Sequence, residues 1–381
     1  MMRSVAIFLN QSMPLSEVFV YHQASALMRY KPKFLACKTV PKSVEHDIPV
    51  HAINNQNGVK GKLAELIFKV TGFNPQLRRE VRDSDVVHAH FGPTGWFASH
   101  ITCQEDKPLI VTLHGFDILK NEITVARDGR LQMAFSQNRH KLAQRADMFI
   151  CVSEFIKDRA IKFGFPEDKC HVHYMGVSLQ GHKHAKRKRK DSEAIRILSV
   201  GRLVPVKAHT KLIEAVSMLE RDGLNIHLDI IGDGHLRESL EQQAKDSLKS
   251  YTFHGAKPHT EVLRMMRESD LFCHTSMTQE NGQTEAFGLV VCEAQWAGLP
   301  VVAFASGGVP EALDNGKTGL LSEEGNIESL YQNMKEIIEN PEQMQAMSNA
   351  GPVFVKENFC GKTQTAKLEE IYDMVIENHK S

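Results

Sequence analysis

The sequence lacks the residue patterns that mark disulfide-rich, zinc-binding and highly charged proteins. Its seven cysteines form no C-x-x-C pair, and those inside apolar runs such as MFICVS are predicted to be buried free thiols in a reducing compartment. Nineteen histidines occur without H-E-x-x-H or a similar spacing, so we expect no structural metal. Lysine and arginine balance aspartate and glutamate, 46 against 46, which excludes a global attraction to nucleic acid or to a membrane.

Long apolar runs are also missing. The run at residues 5–9 is too short for a signal peptide. Residues 287–305 are mostly apolar but include Glu293, Gly298 and Pro300, so we expect a buried helix followed by a strand and not a membrane span. With 42% hydrophobic and 24% charged residues, the composition is that of a soluble globular protein, and we expect it in the cytoplasm.

Strand-like apolar runs alternate with helix-like amphipathic segments on both sides of one charged stretch. That stretch is HKHAKRKRKD at residues 182–191, which is predicted to be a solvated linker. The alternative of a nucleic-acid-binding or nuclear-localisation segment does not suit the α/β pattern around it. The alternation predicts parallel, doubly wound sheets, with helices at residues 327–339 and 341–349 near the end of the chain. We therefore place one domain at residues 1–190, a second at 191–358 and a final helical segment at 359–381.

Residues 284–304, TEAFGLVVCEAQWAGLPVVAF, are central to the functional interpretation. The pattern predicts a short helix over residues 287–297, ended by Gly298, and then a buried strand over residues 301–304. Three backbone N–H groups would lie free at the start of this helix, those of Phe287, Gly288 and Leu289. A helix N-terminus carries a partial positive charge, and a glycine lets an anion approach closely, so a diphosphate could bind there.

Charged side chains accompany this segment. Glu285 precedes the predicted helix and Glu293 lies within it. Glu285 could accept hydrogen bonds from sugar hydroxyls and Glu293 from a ribose, although two such glutamates taken alone are more often a helix cap and a solvated side chain. Arg202 and Lys207 follow a strand predicted at 195–201, and two cations in such a turn complement a diphosphate.

Polar side chains also follow strands in the N-terminal half. His90 ends a predicted strand at 85–91, and His114 and Asp117 follow the next strand, which begins at residue 108. Ligands of open α/β sheets gather at the carboxyl ends of strands. A single histidine there is more often structural, but two at the ends of neighbouring strands are candidate site residues.

Several motifs carry a resemblance to a known family. E-A-F-G-L-V-V-C-E-A at 285–294, followed by A-G-L-P-V-V and S-G-G-V-P-E, resembles the donor-site signature of retaining glycosyltransferases of family 4, which have the GT-B fold. H-G-F-D at 114–117 is similar to the family's site where a histidine faces the donor sugar, and G-R-L-x-x-x-K at 201–207 to its diphosphate clamp. P-L-S-E-V-F-V at 14–20 resembles the P-x-S-E-T-F pattern of bacterial exopolysaccharide and colanic-acid transferases; its Ser16 and Glu17 also make an ordinary helix start.

The resemblance implies two Rossmann-like, doubly wound parallel-sheet domains that face a cleft, with the last helix crossing back to the first domain. It implies retaining, metal-independent and cofactor-free transfer of a sugar from a nucleoside-diphosphate sugar to a glycan or lipid-linked glycan in surface polysaccharide synthesis. The first domain would bind the acceptor and the second the donor. The expected site residues are, for catalysis, Glu285 and His114; for the donor, Arg202, Lys207, Phe287, Gly288, Leu289 and Glu293; and on the acceptor side, Ser16, Glu17, His90 and Asp117.

Other functions stay open at this point. A GT-B epimerase or phosphorylase would share the fold, and a non-catalytic glycan-binding protein would share the site. A dinucleotide-dependent oxidoreductase is disfavoured because G-x-G-x-x-G is absent. Residues 54–82 carry six lysines or arginines against few acids; they form either a solvated face or a peripheral contact with the inner face of an anionic membrane. No nucleic-acid partner is expected.

Overall fold

A computed structural model describes residues 2–12, 18–40, 47–55, 58–119, 130–179 and 193–380. The chain forms two compact units, one of residues 1–178 with 361–381 and the other of residues 179–360. The predicted linker at 182–191 and the candidates Ser16 and Glu17 lie outside the described residues. None of the described helices combines the length and the apolar character that a membrane-spanning segment needs.

The first unit is built on a seven-stranded parallel sheet in the order β3-β2-β1-β4-β5-β6-β7. Its strands are β1 Arg3–Gln11, β2 Tyr30–Lys38, β3 Val50–Asn54, β4 Val86–His90, β5 Leu109–Leu113, β6 Met148–Cys151 and β7 Cys170–Val172. Every residue of β4 and β5 is buried, as expected of central parallel strands covered by helices on both faces.

The second unit contains a six-stranded parallel sheet in the order β10-β9-β8-β11-β12-β13. Its strands are β8 Ile195–Val200, β9 Ile226–Ile231, β10 Tyr251–Phe253, β11 Leu271–His274, β12 Val301–Phe304 and β13 Gly319–Ser322. β12 matches the strand predicted at 301–304. All four of its side chains are buried, which agrees with its continuous apolar sequence.

The described helices connect and cover these strands. They are α1 Val18–Ser25, α2 Val59–Thr71, α3 Pro75–Arg82, α4 Gly92–Glu105, α5 Arg130–Arg145, α6 Glu154–Phe163, α7 His209–Arg221, α8 Arg237–Ser247, α9 His259–Glu268, α10 Leu289–Trp296, α11 Ile327–Glu339, α12 Pro341–Phe359 and α13 Gly361–Lys380. In α13, Tyr372, Val375 and Ile376 share one buried core with Val5 and Ile7 of β1. The last helix of the chain therefore packs in the unit that holds the first strand.

Both sheets share one strand order, and this order places the candidate sites. In the first sheet β1 lies between β2 and β4, and in the second β8 lies between β9 and β11. The connections run one way from the central strand and then reverse, which leaves a crevice at the carboxyl ends of the two strands where the direction changes. The predicted fold class of two doubly wound parallel α/β sheets is confirmed.

Helix α12 is longer than predicted. α12 runs past the expected end at residue 349 and contains Pro352, which lacks the N–H needed for the helical hydrogen bond. Packing against α10 accounts for the continuation: a Cβ on Gly351 would lie 3.0 Å from the Gln295 carbonyl oxygen, so the two helices touch closely there. Such tertiary contact outweighs the local preference of the proline to end a helix.

Candidate active site

In the second unit, the loops after β8 and β11 meet at the switch point of the sheet. A 3₁₀ turn, Pro205–Lys207, follows β8, and Thr275 directly follows β11. The Thr275 hydroxyl donates to the Lys207 carbonyl oxygen at 2.9 Å. This bond fixes the backbone of Lys207 against the loop that leads to Glu285, so two residues 78 positions apart in the chain meet at one site.

The side chain of Glu285 is held through one of its two oxygens. Lys207 Nζ donates to Oε2, the Ser276 hydroxyl donates to the same atom at 3.1 Å, and His274 Nε2 lies 3.3 Å from it. None of these contacts uses Oε1, and no other described residue bonds to that atom. The arrangement orients the carboxylate and leaves one oxygen for a ligand.

The same contacts keep Glu285 ionised. Burial raises the pKa of this carboxyl, but the ammonium of Lys207 and the contact with His274 outweigh burial and hold the pKa well below its usual range. Burial and the nearby Lys207 lower the pKa of His274, so its imidazole is neutral near pH 7. Glu285 and Lys207 therefore form a charged pair that a neutral imidazole supports.

Two glycines lie against the backbone of Glu285. The Gly308 N–H donates to the Glu285 carbonyl oxygen at 3.0 Å. Gly307 has φ +55°, and a Cβ there would lie 2.1 Å from the same oxygen. Only glycine permits both this left-handed backbone and this approach, so the S-G-G-V-P-E motif has a structural role in positioning Glu285.

A hydroxyl network closes the loop that carries Glu285. The Thr284 and Ser306 hydroxyls lie 2.9 Å apart, and Ser306 donates to Glu324 Oε1 at 3.1 Å. Glu324 also accepts the N–H of Thr278. Sequence reasoning missed His274, Ser276 and Glu324, because their relation to Glu285 depends on which strands are neighbours and not on spacing along the chain.

Helix α10 begins at Leu289, two residues later than predicted, with Gly288 as its N-cap. Gly288 is the last residue of the preceding loop and has φ +94°. Residues with a β-carbon rarely adopt this left-handed conformation. Since the Val291 N–H already bonds to the Gly288 carbonyl oxygen at 2.8 Å, the helix presents the N–H groups of Leu289 and Val290 at its start. Phe287 is buried and packs on the Phe359 ring, with centroids 5.2 Å apart.

Glu293 lies on α10 and is not a solvated helix residue, since its side chain is only 15% exposed. His259, at the start of α9, approaches Glu293 Oε1 at 2.9 Å through Nε2. This hydrogen bond raises the pKa of His259, against the lowering effect of burial. The pair leaves Glu293 Oε2 available.

Arg202 follows β8 at the same edge of the sheet, and its side chain is exposed. No described residue forms a hydrogen bond or ion pair with its guanidinium group. The surrounding loop is packed tightly on the G-D-G turn at 232–234: a Cβ on Gly232 would lie 1.8 Å from the Gly201 carbonyl oxygen. Arg202 is thus an available cation on a constrained backbone.

In the first unit, β4 and β5 are neighbours as predicted, and they bring His90 and His114 together. His90 Nδ1 lies 3.0 Å from His114 Nε2, and the two rings stack with centroids 5.2 Å apart. Burial lowers the pKa of His90 well below its ordinary value and that of His114 to about 3. Both rings are therefore neutral near pH 7, and one nitrogen donates a hydrogen bond to the other.

His88 lies beside this pair but has a structural role. Its Nδ1 bonds to the Tyr372 hydroxyl at 2.7 Å and its Nε2 to the Thr112 hydroxyl at 2.6 Å. Both ring nitrogens are thus used inside the protein, and the bond to Tyr372 joins β4 to α13.

Asp117 is fully buried and forms hydrogen bonds within the first unit. Its carboxylate accepts the Gly92 N–H at 2.8 Å, and its carbonyl oxygen accepts a bond from the Gln132 side chain at 2.7 Å. Burial raises the pKa of Asp117 to about 6. These contacts tie the loop that carries His114 to the start of α4; a role of Asp117 toward an acceptor stays a prediction.

Among the described residues, no cluster of three or more His, Cys, Asp or Glu side chains has the arrangement of a metal site. The charged groups of the candidate site are two cations, two carboxylates and a helix N-terminus, all in the second unit. The first unit contributes a neutral histidine pair. This set can bind a polyanion at one switch point and polar hydroxyl groups at the other.

Two family models match the chain in succession. A model of Glycosyltransferase Family 4 matches residues 16–180, and a model of Glycosyl transferases group 1 matches residues 182–354. Together they cover every described strand except β1, which ends before residue 16. The first model matches the unit with the histidine pair, and the second matches the unit with Lys207 and Glu285.

Similar proteins are found among curated sequences and solved structures. The chain is 30% identical over 260 residues to a putative colanic acid biosynthesis glycosyltransferase, WcaL, of Salmonella typhimurium, a match that spans 66% of this chain and 61% of that protein. It is 30% identical over 296 residues to an uncharacterized glycosyltransferase of Methanocaldococcus jannaschii, covering 76% and 75% of the two chains. The crystal structure of Anabaena HepE in complex with UDP and glucose has the same fold, with a TM-score of 0.76, 21% identity and coverage of 98% of this chain and all of that one.

Proposed function

Since this chain belongs to glycosyltransferase family 4, we propose that it transfers a sugar from a nucleoside-diphosphate sugar to a hydroxyl of a glycan or lipid-linked glycan. We further propose that the transfer retains the anomeric configuration, needs no metal and serves surface polysaccharide synthesis. The colanic acid relative supports the biosynthetic setting. The HepE complexes support a nucleotide sugar as donor, because that protein binds UDP, UDP and glucose, or UDP-glucose on the same fold.

One observation carries the proposal: the charged pair of Lys207 and Glu285 at the switch point of the second sheet, beside the N-terminus of α10. A Cβ built on Gly288, the N-cap of α10, would lie 3.9 Å from Glu285 Cγ, so the carboxylate and the helix start are adjacent. A diphosphate is the ligand that such a helix end and two cations suit best. A sugar attached to it would then lie within reach of the carboxylate.

The leaving diphosphate gains negative charge as the bond to the sugar breaks. We assign its stabilisation to Lys207, Arg202 and the first-turn N–H groups of α10, which are aimed in advance at the place where charge develops. These groups can supply the positive charge that a metal ion supplies in other transferases. Metal independence is tested by adding EDTA, which is expected to leave turnover unchanged.

Glu285 Oε1 positions the sugar and stabilises positive charge at the anomeric carbon. Its low pKa keeps it ionised throughout the neutral range, and its other oxygen is fixed by Lys207 and Ser276. We assign it an electrostatic role and not that of a covalent nucleophile, with the acceptor attacking from the face that the diphosphate leaves. On α10, Glu293 Oε2 is free to accept a bond from a ribose while His259 holds Oε1.

The neutral pair of His90 and His114 is assigned to the acceptor side and the reaction centre. An uncharged imidazole can donate or accept a hydrogen bond to a sugar hydroxyl without attracting the diphosphate away from its own cations. His90 bonds to His114 Nε2 and so orients that ring. The other nitrogen of His114 is left for a substrate group.

The proposal is tested with a panel of nucleoside-diphosphate sugars. Binding to the native state raises the melting temperature by mass action, so a thermal-shift screen identifies the donor. Glu285→Gln is expected to lower turnover by orders of magnitude and to leave donor affinity nearly intact, and proton NMR of the product reports its anomeric configuration. Arg202→Ala is expected to weaken nucleoside-diphosphate binding. Wild-type turnover in Glu285→Gln, or an inverted product, would refute the assigned chemistry.

A further inference from the structure

Helix α2 exposes an apolar stripe to solvent. Six large apolar side chains between residues 59 and 73 are 41% to 86% exposed. They are Val59, Leu63, Leu66, Ile67, Val70 and, just past the helix, Phe73. Thirteen large apolar residues of the described chain are exposed, so nearly half of them lie in this one segment. Clustering of this kind marks an interaction surface, whereas scattered exposed apolar residues are ordinary.

The orientation of α2 is set by its opposite face. Phe68 is fully buried and stacks on Phe8 of β1, with ring centroids 5.8 Å apart. Gly61 is also turned inward, because a Cβ there would lie 2.3 Å from the Asn54 side chain. At 100° per residue, the stripe is centred on the side opposite Phe68. The helix therefore cannot bury its stripe by rotating without losing Phe68 from the core.

Basic side chains border the stripe. Lys60 and Lys62 are exposed and lie on its two flanks. At its end, Phe73 lines a surface cavity of about 490 Å³ together with Pro75, Arg78, Arg79, Arg82 and Asp83. The acids near the stripe are all paired: Glu65 with Lys69, Glu80 with Lys33, Asp83 with Arg79, and Glu105 with both Arg78 and Arg82. Three arginines thus share two carboxylates, which leaves one excess positive charge there in addition to those of Lys60 and Lys62. The net charge of the whole chain is zero, so this positive region is a local feature.

We propose that this stripe and its basic border, defined by α2, Phe73 and the arginines of α3, dock on an anionic phospholipid surface. Apolar side chains in a helix face with lysines at its edges match the boundary between acyl chains and headgroups, and the one excess arginine charge beside Phe73 adds to the attraction to anionic headgroups. A second copy of the chain fits less well, because a two-fold contact would bring the same cations against each other. The proposal is independent of the proposed sugar transfer.

The test is sedimentation of the full chain with lipid vesicles. Vesicles of phosphatidylcholine containing one quarter phosphatidylglycerol are compared with vesicles of phosphatidylcholine alone, at low and high salt. We expect binding to the anionic vesicles, weakened by salt. Leu63→Gln, Leu66→Gln and Val70→Gln combined should reduce binding at least tenfold, since each buried methylene contributes roughly fourfold. The matched control, Met28→Gln with Val353→Gln, removes exposed apolar side chains elsewhere and should change binding less than twofold.

The contribution of charge is measured separately. Lys60→Gln with Lys62→Gln should reduce binding to anionic vesicles by about fivefold per lysine, whereas Lys245→Gln with Lys249→Gln, both exposed lysines in the second unit, should not. Unchanged melting curves establish that the variants fold, and unchanged thermal shifts with the nucleoside diphosphate separate this surface from the donor site. The proposal is overturned if the wild type ignores anionic vesicles, if the α2 variant binds them as well as the wild type, or if the stripe proves to mediate dimerisation.

Discussion

Replacing Lys207 with methionine tests the electrostatics of the candidate site directly. The substitution keeps the length and most of the packing of the side chain but removes the ammonium that faces Glu285. Losing one partner of a buried ion pair costs about 3–5 kcal/mol. The side chains of Lys207 and Glu285 are 17% and 19% exposed, so solvent screening reduces the expected loss to about 2 kcal/mol. For a unit of this size we expect the melting temperature to fall by about 4–8 °C.

The loss of unfolding free energy in Lys207→Met should depend on pH. In the wild type the folded pKa of Glu285 is depressed, so its ionisation stabilises the fold above the unfolded pKa, and this stability is lost as pH falls through the folded value. In Lys207→Met the lowering by the ammonium is gone, and the burial that raises the pKa remains. The carboxylate then destabilises the fold as pH rises. The difference in unfolding free energy between the two proteins should therefore be larger at pH 8 than at pH 4.

A double-mutant cycle completes the experiment. Glu285→Gln in the Lys207→Met background removes the unpaired charge, so the double variant should be more stable than Lys207→Met alone. Lys317→Met serves as the control, because Lys317 pairs with Asp314 at the surface and is 75% exposed; its loss should be below about 1 kcal/mol. Additive effects of the two substitutions, or equal losses at both pH values, would refute the coupling between Lys207 and Glu285.

Three further substitutions test neighbouring features. Gly307→Ala should lower turnover and stability by more than Gly316→Ala. Both glycines have positive φ, but a Cβ on Gly307 would lie against the Glu285 carbonyl oxygen, whereas a Cβ on Gly316 would meet open space. Equal losses in the two variants would contradict this. His259→Gln should raise the KM for the donor without changing kcat. The stability that His259 adds to the fold should be present below pH 6.5 and lost as pH rises through its raised pKa. A change in kcat alone would contradict the role of His259 in holding Glu293. Asp117→Asn keeps an acceptor for the Gly92 N–H but removes a buried charge whose pKa is raised to about 6. The unfolding free energy of the variant should therefore exceed that of the wild type by about 3 kcal/mol at pH 8 and by less than about 1 kcal/mol at pH 4; unfolding curves that differ equally at both pH values would contradict it.

The fold could be predicted because its signals are local. Strand β12 and helix α11 occupy the predicted residues, since a continuous apolar run and a 3.6-residue period are properties of short segments. The start of α10 could not be placed as well. Gly288 adopts a positive φ and Gly308 bonds to the Glu285 carbonyl oxygen, and that bond joins two loops that only the folded sheet brings together.

In the candidate site, too, single residues could be predicted from local sequence signals, whereas the contacts between them could not. Glu285 was predicted from its position before a helix and Lys207 from its position after a strand, but the sequence pattern does not reveal that the two form an ion pair or that Ser276 and His274 contact Glu285. Those contacts depend on β8 and β11 being neighbours, which is a property of strand order. The basic character of residues 54–82 was likewise recognised from the sequence. The exposure of the apolar stripe of α2 was not, because an amphipathic pattern does not indicate which face of the helix meets the core.

The two switch points differ in a way that follows from the ligands proposed for them. At the second sheet, Lys207 and Arg202 supply positive charge, and Glu285 stays ionised beside a helix N-terminus. At the first sheet, burial holds His90 and His114 neutral. A diphosphate needs fixed positive charge, whereas a sugar hydroxyl needs hydrogen-bond partners that do not compete for the diphosphate. One strand order used twice thus provides a charged crevice and an uncharged one, and the loops after the strands determine which is which.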